Sequence, residues 1–388
     1  MQEPLDPIAP FGFLTAGQIR FGRGTAKAHA GDVRRYGNRI MLVRGHSVPW
    51  VDQLAQQLQG FGCKVVQVYG QGEPTVTDVE AARALGRETG IDAVMAVGGG
   101  AVIDLGKAAA AMIPANSALI DYLEGVGGGQ PLDSAPLPFV AIPTTAGTGS
   151  EVTRNAVIAV PDAGRKVSLR DDRMLPRLAI VDPGLTDGTP SGVTLASGLD
   201  AITQVIEPYL SRRANPLTDA LCRSAIPMGL SALARLAKGE DPEARDRIAY
   251  VSLIGGLALA NAGLGAVHGL AGVIGGRFGA PHGLICGRLL GPVLCANKDA
   301  ARAAGASLDR YEEIADWMAD GFDLPVGTVF PRLSGWLDVH RLPRLGGWLT
   351  AGADLEAVAT AAAGSSSMNA NPRILPTEAL VDAIKRSL

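Results

Sequence analysis

Asp200 and Gln204 stand one helical turn apart in the segment "DAITQVIEPYLS", residues 200–211. Its apolar residues Ala201, Ile202, Val205 and Ile206 recur at helical spacing, so both polar side chains project from one face. An acid at that spacing from a His would be half of a metal site; here the second position is an amide. His268 and His282 stand fourteen residues apart in "GAVHGLAGVIGGRFGAPHGLICGRLLGPVL" (265–294), each followed by Gly. His268 is expected on an apolar helix and His282, after Pro281, at a helix start. One carboxylate and two imidazoles suit Zn²⁺ or Fe²⁺ with positions left for water and substrate.

Two further stretches suit a nucleotide. "AVGGGAVIDLGKAAA" (96–110) places three consecutive glycines between an apolar run and a helix. Without Cβ atoms the backbone can approach a ligand closely, and free N–H groups at a helix start attract phosphate. The spacing is not GxGxxG, so the usual dinucleotide fingerprint is not met. "PTTAGTGSEVT" (143–153) carries five hydroxyl side chains and two glycines, a dense supply of hydrogen-bonding groups.

Those residues need a frame. The first half alternates short apolar runs with helical patterns. "RIMLVRG" (39–45), "KVVQVYG", "DAVMAVGGG", "LPFVAIPT", "NAVIAVP" and "RLAIVDP" read as strands. "PWVDQLAQQLQGFG", "TDVEAARALGRETG" and "AVIDLGKAAAAM" read as helices, the second with Thr77 and Glu80 at capping-box spacing. Such alternation predicts a parallel sheet covered on both faces. "RKVSLRDDR" (165–173) mixes both charge signs and reads as a solvated loop. After about residue 190 the runs become long and rich in Ala and Leu, predicting an almost entirely helical second half. The joint is "DPGLTDGTPSG" (182–192), which sets domains at 1–190 and 191–388. "AAAGSSSMNANPR" near the end reads as an ordered loop before the last helix.

The chain has 388 residues, 47% hydrophobic and 19% charged, with a formal net charge of −3. It carries no basic footprint for nucleic acid. The opening "MQEPLDPIAPFGF" has neither a basic nor an apolar signal-peptide region. The run "VSLIGGLALANAGLGAVHGLAG" (251–272) has the length of a membrane span. Its six glycines, Asn and His favour a buried helix instead. Cys63, Cys222, Cys286 and Cys295 form no CxxC pair, which fits a reduced, cytoplasmic enzyme.

Together, "GGGAVID", "AIVDPGLT", "PTTAGTGSEVT", "SGLDAITQVIEPYLS", "NAGLGAVHGLAG", "GAPHGL" and "NPRILPTEAL" resemble the iron-containing (group III) alcohol dehydrogenases across almost the whole chain. That family's relatives include maleylacetate reductases, glycerol dehydrogenases and dehydroquinate synthases. The resemblance implies a dehydroquinate synthase-like fold: an α/β dinucleotide-binding domain with a parallel sheet, then an all-α domain, with metal, nicotinamide and substrate between them. Its metal ligands fall on Asp200, Gln204, His268 and His282, with Gln204 where the family usually has His. Asp200, His268 and His282 would act in catalysis through the metal. The cofactor set is Gly45, Gly98, Gly99, Gly100, Asp104, Thr144, Thr145 and Thr148. The family's usual Ser after the glycines is Ala101 here, and a proton-relay His that many members carry is Gly272. No acid follows the first strand in "LVRGHS", and Arg44 could pair with a 2′-phosphate, so NADP is mildly favoured over NAD.

The expected activity is hydride transfer between nicotinamide and an alcohol or carbonyl, with Fe²⁺ or Zn²⁺. Expected substrates are a small alcohol, aldehyde, ketone or oxo-acid, the last as in maleylacetate reductases. Neither nucleic acid nor membrane is an expected partner, and the expected assembly is a homodimer. Two other classes compete. A dehydroquinate-synthase-like lyase would need clustered cations, but the seven Lys are scattered. A non-catalytic nucleotide-binding protein would explain Gln204 and Gly272.

Overall fold

The computed structural model describes residues 8–46, 48–350 and 352–388. Residues 1–7, which open the stretch read against a signal peptide, and Ser47 of "LVRGHS" lie outside the described residues. Six parallel strands form the main sheet in the order β1-β8-β5-β4-β2-β3. They are β1 (Ile19–Phe21), β2 (Arg39–Arg44), β3 (Lys64–Tyr69), β4 (Ala93–Gly98), β5 (Phe139–Pro143) and β8 (Leu178–Val181). β6 (Asn155–Val160) and β7 (Arg165–Arg170) pair antiparallel as a separate ribbon. The charged stretch 165–173, expected to be a loop, is therefore strand over Arg165–Arg170. Val167 and Leu169 point inward at period two, with Ser168 between them, while Arg165 and Arg170 at the ends are exposed.

Both faces of the inner strands β2, β4, β5 and β8 are buried, which is why these are nearly continuous apolar runs. Met41 and Val43 of β2 and Val94 and Ala96 of β4 enter one core. Ile40 and Leu42, with Ala93, Met95 and Val97, enter the opposite one. The first half also holds helices α1 (Thr25–His29), α2 (Trp50–Gly60), α3 (Val76–Thr89), α4 (Gly100–Met112) and α5 (Leu119–Tyr122). Helix α3 starts two residues earlier than its sequence suggested. Thr75 is the N-cap, and Asp78 closes the capping box in place of the Thr77–Glu80 pair.

The chain moves from β2 to its neighbour β3, then crosses back over β2 to β4 on the other side. At such a reversal the loops leave the strand ends in opposite directions and open a crevice, the usual ligand site of parallel sheets. The carboxyl ends of β2 and β4 meet there.

The last sheet strand ends at Val181 and the first long helix begins at Ser191. The second half consists of α6 (Ser191–Leu210), α7 (Pro216–Leu236), α8 (Pro242–Ala262), α9 (Ala266–Phe278), α10 (His282–Ala303), α11 (Asp309–Phe322), α12 (Val329–Val339), α13 (Leu355–Ala363) and α14 (Thr377–Lys385). They surround one core through Ile202, Val205, Ile206, Leu233, Ile254, Leu270 and Leu289. The long apolar run at 251–272 is not one helix. It breaks at Gly263–Gly265, and α8 and α9 meet at a bend of 101°. Among the described residues no single helix is long and apolar enough to cross a membrane, although the bent pair α8 and α9 passes on length and composition. The loop 364–376 precedes α14, as the composition suggested.

Candidate metal centre and cofactor crevice

Helix α6 is buried along its whole second half, so polar residues there must find partners inside the protein. Asp200, Gln204 and Glu207 lie within two turns of it. Asp200 Oδ1 is 3.2 Å from His268 Nε2 and 3.6 Å from His282 Nε2. His268 is the third residue of α9 and His282 the first of α10, as the sequence placed them. Cys286, one turn beyond His282, brings its Sγ to 3.8 Å from His268 Nε2 and 3.7 Å from His282 Nε2. The four donor atoms of Asp200, His268, His282 and Cys286 lie within 4.8 Å of one another.

Glu207 sets the orientation of His268. Its Oε2 is 2.6 Å from His268 Nδ1, and its Oε1 accepts from Val267 N at 2.7 Å. Asn371 Oδ1 accepts from Ala266 N at 3.0 Å. The two side chains thus satisfy backbone donors at the start of α9, where a carboxylate is also favoured electrostatically. They come so close that a Cβ on Gly265 would lie 2.8 Å from Asn371 and 2.9 Å from Glu207. With Nδ1–H given to Glu207, His268 turns its Nε2 toward the point it shares with Asp200, the arrangement in which a carboxylate orients a metal-binding imidazole. Glu207 was not singled out from sequence, although it lies seven residues, two turns, after Asp200.

Electrostatics agree with a cation site. Burial works against charge on His282, but the Cys286 sulfur and the Asp200 carboxylate raise it to about 9. Burial likewise opposes charge on His268; Cys286, Glu207 and Asp200 hold it well above the ordinary imidazole range. Burial pushes Asp200 up, yet His282 and His268 keep it below the usual carboxylate value. A buried group of acids that retains protons on its imidazoles is one that a divalent ion can occupy by displacing them.

Gln204 behaves differently from the other three expected ligands. Its Nε2 donates to Gly147 O at 3.1 Å, and its buried Oε1 has no hydrogen-bond partner. The free end of the amide is therefore an oxygen, the donor a metal or a water could use. Gly272 is half-buried on α9, one turn after His268, and a Cβ there would meet nothing within 4 Å. The position where many relatives carry a relay His faces open space.

Most of the residues expected to hold the cofactor gather at the crevice. Gly45 N donates to Val97 O at 3.4 Å, joining the end of β2 to the end of β4. Gly99 is the N-cap of α4 and no side chain caps it, which leaves helix-start N–H groups free for phosphate. Thr144 N donates to Gly98 O at 3.0 Å, so the hydroxyl loop runs beside the glycines. Thr145 lies 3.5 Å from where a Cβ on Gly99 would be, and Thr148 Oγ1 2.8 Å from one on Gly100.

Asp104 faces the protein. Its Oδ1 accepts from Ser150 Oγ at 2.5 Å and its Oδ2 from Val157 N at 3.0 Å, so it positions the hydroxyl loop. Lys107, unnoticed in the sequence, is buried beneath the same loop. Its Nζ donates to Ser150 O at 2.7 Å, Asn155 O at 2.8 Å and Thr153 Oγ1 at 2.9 Å. Burial brings its pKa down to about 8 despite Asp104 and Glu151 nearby.

Arg44 corrects an expectation. It is buried, paired with Asp52, and donates to Gln67 Oε1 and Val48 O at 3.2 Å each. It braces the loop after β2 and does not wait there for a 2′-phosphate.

Comparison with known proteins identifies the frame. A family model described as iron-containing alcohol dehydrogenase matches residues 16–183, and the family's C-terminal model matches 194–388. The chain belongs to the iron-containing alcohol dehydrogenase family. It is 34% identical to the NAD-dependent methanol dehydrogenase of Bacillus methanolicus over 307 residues, 77% of each chain. It is 40% identical to a probable alcohol dehydrogenase of Escherichia coli (strain K12) over 240 residues. That match spans 62% of this chain and 60% of the relative's length. Among solved structures, a 1,3-propanediol oxidoreductase superposes with a TM-score of 0.87 at 28% identity, covering 98% of this chain and all of the other. A sulfoacetaldehyde reductase from Bifidobacterium kashiwanohense in complex with NAD⁺ gives 0.82 at 26% identity, covering 98% and 99%. Family members share the α/β and helical halves seen here.

Proposed function

We propose that this family member is a metal-dependent, nicotinamide-linked dehydrogenase that oxidises a small alcohol or reduces the matching aldehyde or ketone. The observation that carries the reading is the convergence of Asp200, His268 and His282 on one buried point, with His268 already oriented by Glu207. These residues would hold the metal, and a bound divalent ion supplies Lewis acidity toward the substrate oxygen. Gln204 offers its unpartnered Oε1 as a neutral and weaker donor. Gly45, Gly98, Gly99, Gly100 and the free start of α4 would take the cofactor phosphates. Thr144, Thr145 and Thr148 line the path from there toward the metal side. Gly272 leaves no titratable group at the relay position, so the alcohol proton would leave through water, a ribose hydroxyl or another residue.

NAD is the nicotinamide we infer, reversing the mild preference for NADP. The charge of Arg44 is already neutralised by Asp52, and one relative is named NAD-dependent. Residues 1–190 would then serve the cofactor and 191–388 the metal and substrate, in a homodimer. Short alcohols and aldehydes, offered with NAD(H) or NADP(H), test this through the absorbance of reduced nicotinamide. Turnover that a chelator abolishes while cofactor binding persists is the expected result. Cofactor binding without turnover of any substrate under Fe²⁺ or Zn²⁺ would leave a nucleotide-binding protein. Phosphate release from a sugar phosphate would make it a lyase.

A further inference from the structure

We propose that the Cys286 thiolate is the fourth strong metal donor, in place of the imidazole missing at position 204, and that it biases the site toward Zn²⁺ over Fe²⁺. The inference rests on the metal centre of the preceding reading and adds one residue to it. Gln204 supplies at most a neutral oxygen, and its amide nitrogen is committed to Gly147 O. Cys286 is fully buried, and no disulfide engages it. Its position is set by helix geometry: four residues after His282, on the same face of α10.

The distances fit one ion. Metal–nitrogen bonds of about 2.05 Å and a metal–sulfur bond of about 2.3 Å at tetrahedral angles separate N from S by about 3.5 Å, and N from O by roughly 3.3 Å. The observed N···S separations are 3.7 and 3.8 Å, and the N···O separations 3.2 and 3.6 Å. Every measured edge is within a few tenths of an ångström of a tetrahedral shell. On binding, the sulfur gives its proton to solvent and its lone pair to the ion.

The four donors do not close the site. The His282 side chain is 37% exposed whereas that of Asp200 is 4% exposed, so the shell is open on the His282 side. A substrate oxygen can enter there as a fifth ligand, which Zn²⁺ accepts. Thiolate is the softest donor of the set and favours Zn²⁺ over harder ions.

Cobalt(II) reports on this without any assay of activity. Co²⁺ added to the metal-free full-length protein should give visible d–d bands and, in addition, a near-ultraviolet thiolate-to-cobalt charge-transfer band. Cys286→Ser should keep the d–d bands and lose the charge-transfer band. Cys295→Ser, on the same helix but outside the cluster, should keep both. Zn²⁺ affinity, by competition with a chromophoric chelator, should fall at least tenfold in Cys286→Ser and less than threefold in Gln204→Ala. Bound cobalt with d–d bands but no charge-transfer band in the wild-type protein overturns the thiolate assignment and leaves the metal centre standing. No cobalt bands at all overturns both. An unchanged Zn²⁺ affinity in a folded Cys286→Ser protein overturns the assignment as well.

Discussion

Replacing Glu207 with Gln tests whether the metal centre depends on a fixed imidazole tautomer. The two side chains are nearly the same size, so packing against Gly265 is preserved. Glu207 accepts two hydrogen bonds, from Val267 N at 2.7 Å and from His268 Nδ1–H at 2.6 Å. Gln has only one acceptor oxygen. If that oxygen keeps Val267, the amide NH₂ faces His268 Nδ1, which must then become the acceptor. The one remaining ring proton then sits on Nε2, the nitrogen that points at Asp200 3.2 Å away. Coordination then requires undoing that tautomer. If the amide rotates instead, two donors face each other at Val267 and the helix start loses its cap. Either way one buried hydrogen bond is lost or inverted. Changes to such orienting partners weaken metal affinity by about 10- to 100-fold, or about 1.4 to 2.7 kcal/mol. The fold should suffer less in the first arrangement, because the lost charge at a helix start is worth only about 0.3–1 kcal/mol. Competition between the protein and a chelator for Zn²⁺ measures the first quantity and thermal melting of the metal-free protein the second. A Glu207→Gln protein that melts normally and binds Zn²⁺ as tightly as wild type would refute the reasoning.

Two other perturbations separate binding from folding. Gly99 has φ −71° and ψ 179°, open to any residue, and a Cβ there would touch only Thr145 at 3.5 Å. Gly99→Ala should therefore fold normally yet bind NADH about tenfold more weakly, about 1.4 kcal/mol, by fluorescence titration; unchanged binding removes phosphate from this turn. Glu151, within the hydroxyl loop, is pushed up to about 7 by burial, against the opposing pull of a backbone hydrogen bond and of Lys107. Its folded-state value exceeds the ordinary 4.5, so the stability it contributes at low pH is lost as pH rises through about 7. The loss amounts to about 3 kcal/mol at most. Glu151→Gln should flatten that part of the stability profile, seen by comparing denaturant midpoints near pH 5 and near pH 8. An unaltered slope would show that another group carries it.

The parallel sheet and the helical half were legible because both are written in periodicity: unbroken apolar runs for strands buried on two faces, and 3.6-residue patterns afterwards. Asp200, His268 and His282 were legible because each is a polar residue in an apolar setting that must otherwise go unpaired. What escaped depended on long-range contacts or on spacing that was not sought. Strand β1 is three residues long and too short to carry a pattern. Strand β7 hides its alternation under charge, whereas its partner β6 was read as a strand. The break at Gly263–Gly265 divides what reads as one apolar helix, because Gly265 admits Glu207 and Asn371 to the start of α9. Glu207 itself resembles a surface acid near a helix end until α9 is seen above it. Cys286 was counted only against disulfide and CxxC patterns, yet His282 and Cys286 are four residues apart on a helix. That spacing was open to the same one-turn argument that paired Asp200 with Gln204. Arg44 went the other way, since nothing local reveals that Asp52 returns to neutralise it.

Gln204 has a further part in this arrangement. Its bond to Gly147 O ties α6, which carries Asp200 and Glu207, to the loop that carries Thr145 and Thr148. The same loop meets α8 where Gly149, at φ +58°, crosses Gly256; a Cβ on Gly149 would lie 2.5 Å from the Gly256 Cα. From the other side, Asp104 and Lys107 of α4 fasten Ser150 and Thr153. The loop is thus held by the cofactor helix and by two helices of the metal half together. Hydride transfer needs the two reactants fixed to within a fraction of an ångström, and misplacement by 1 Å can cost about 100-fold in rate. An amide can make this tie and still leave a buried oxygen unpartnered. With the strong fourth donor assigned to Cys286, position 204 is free to hold the nicotinamide-side loop against the metal helix.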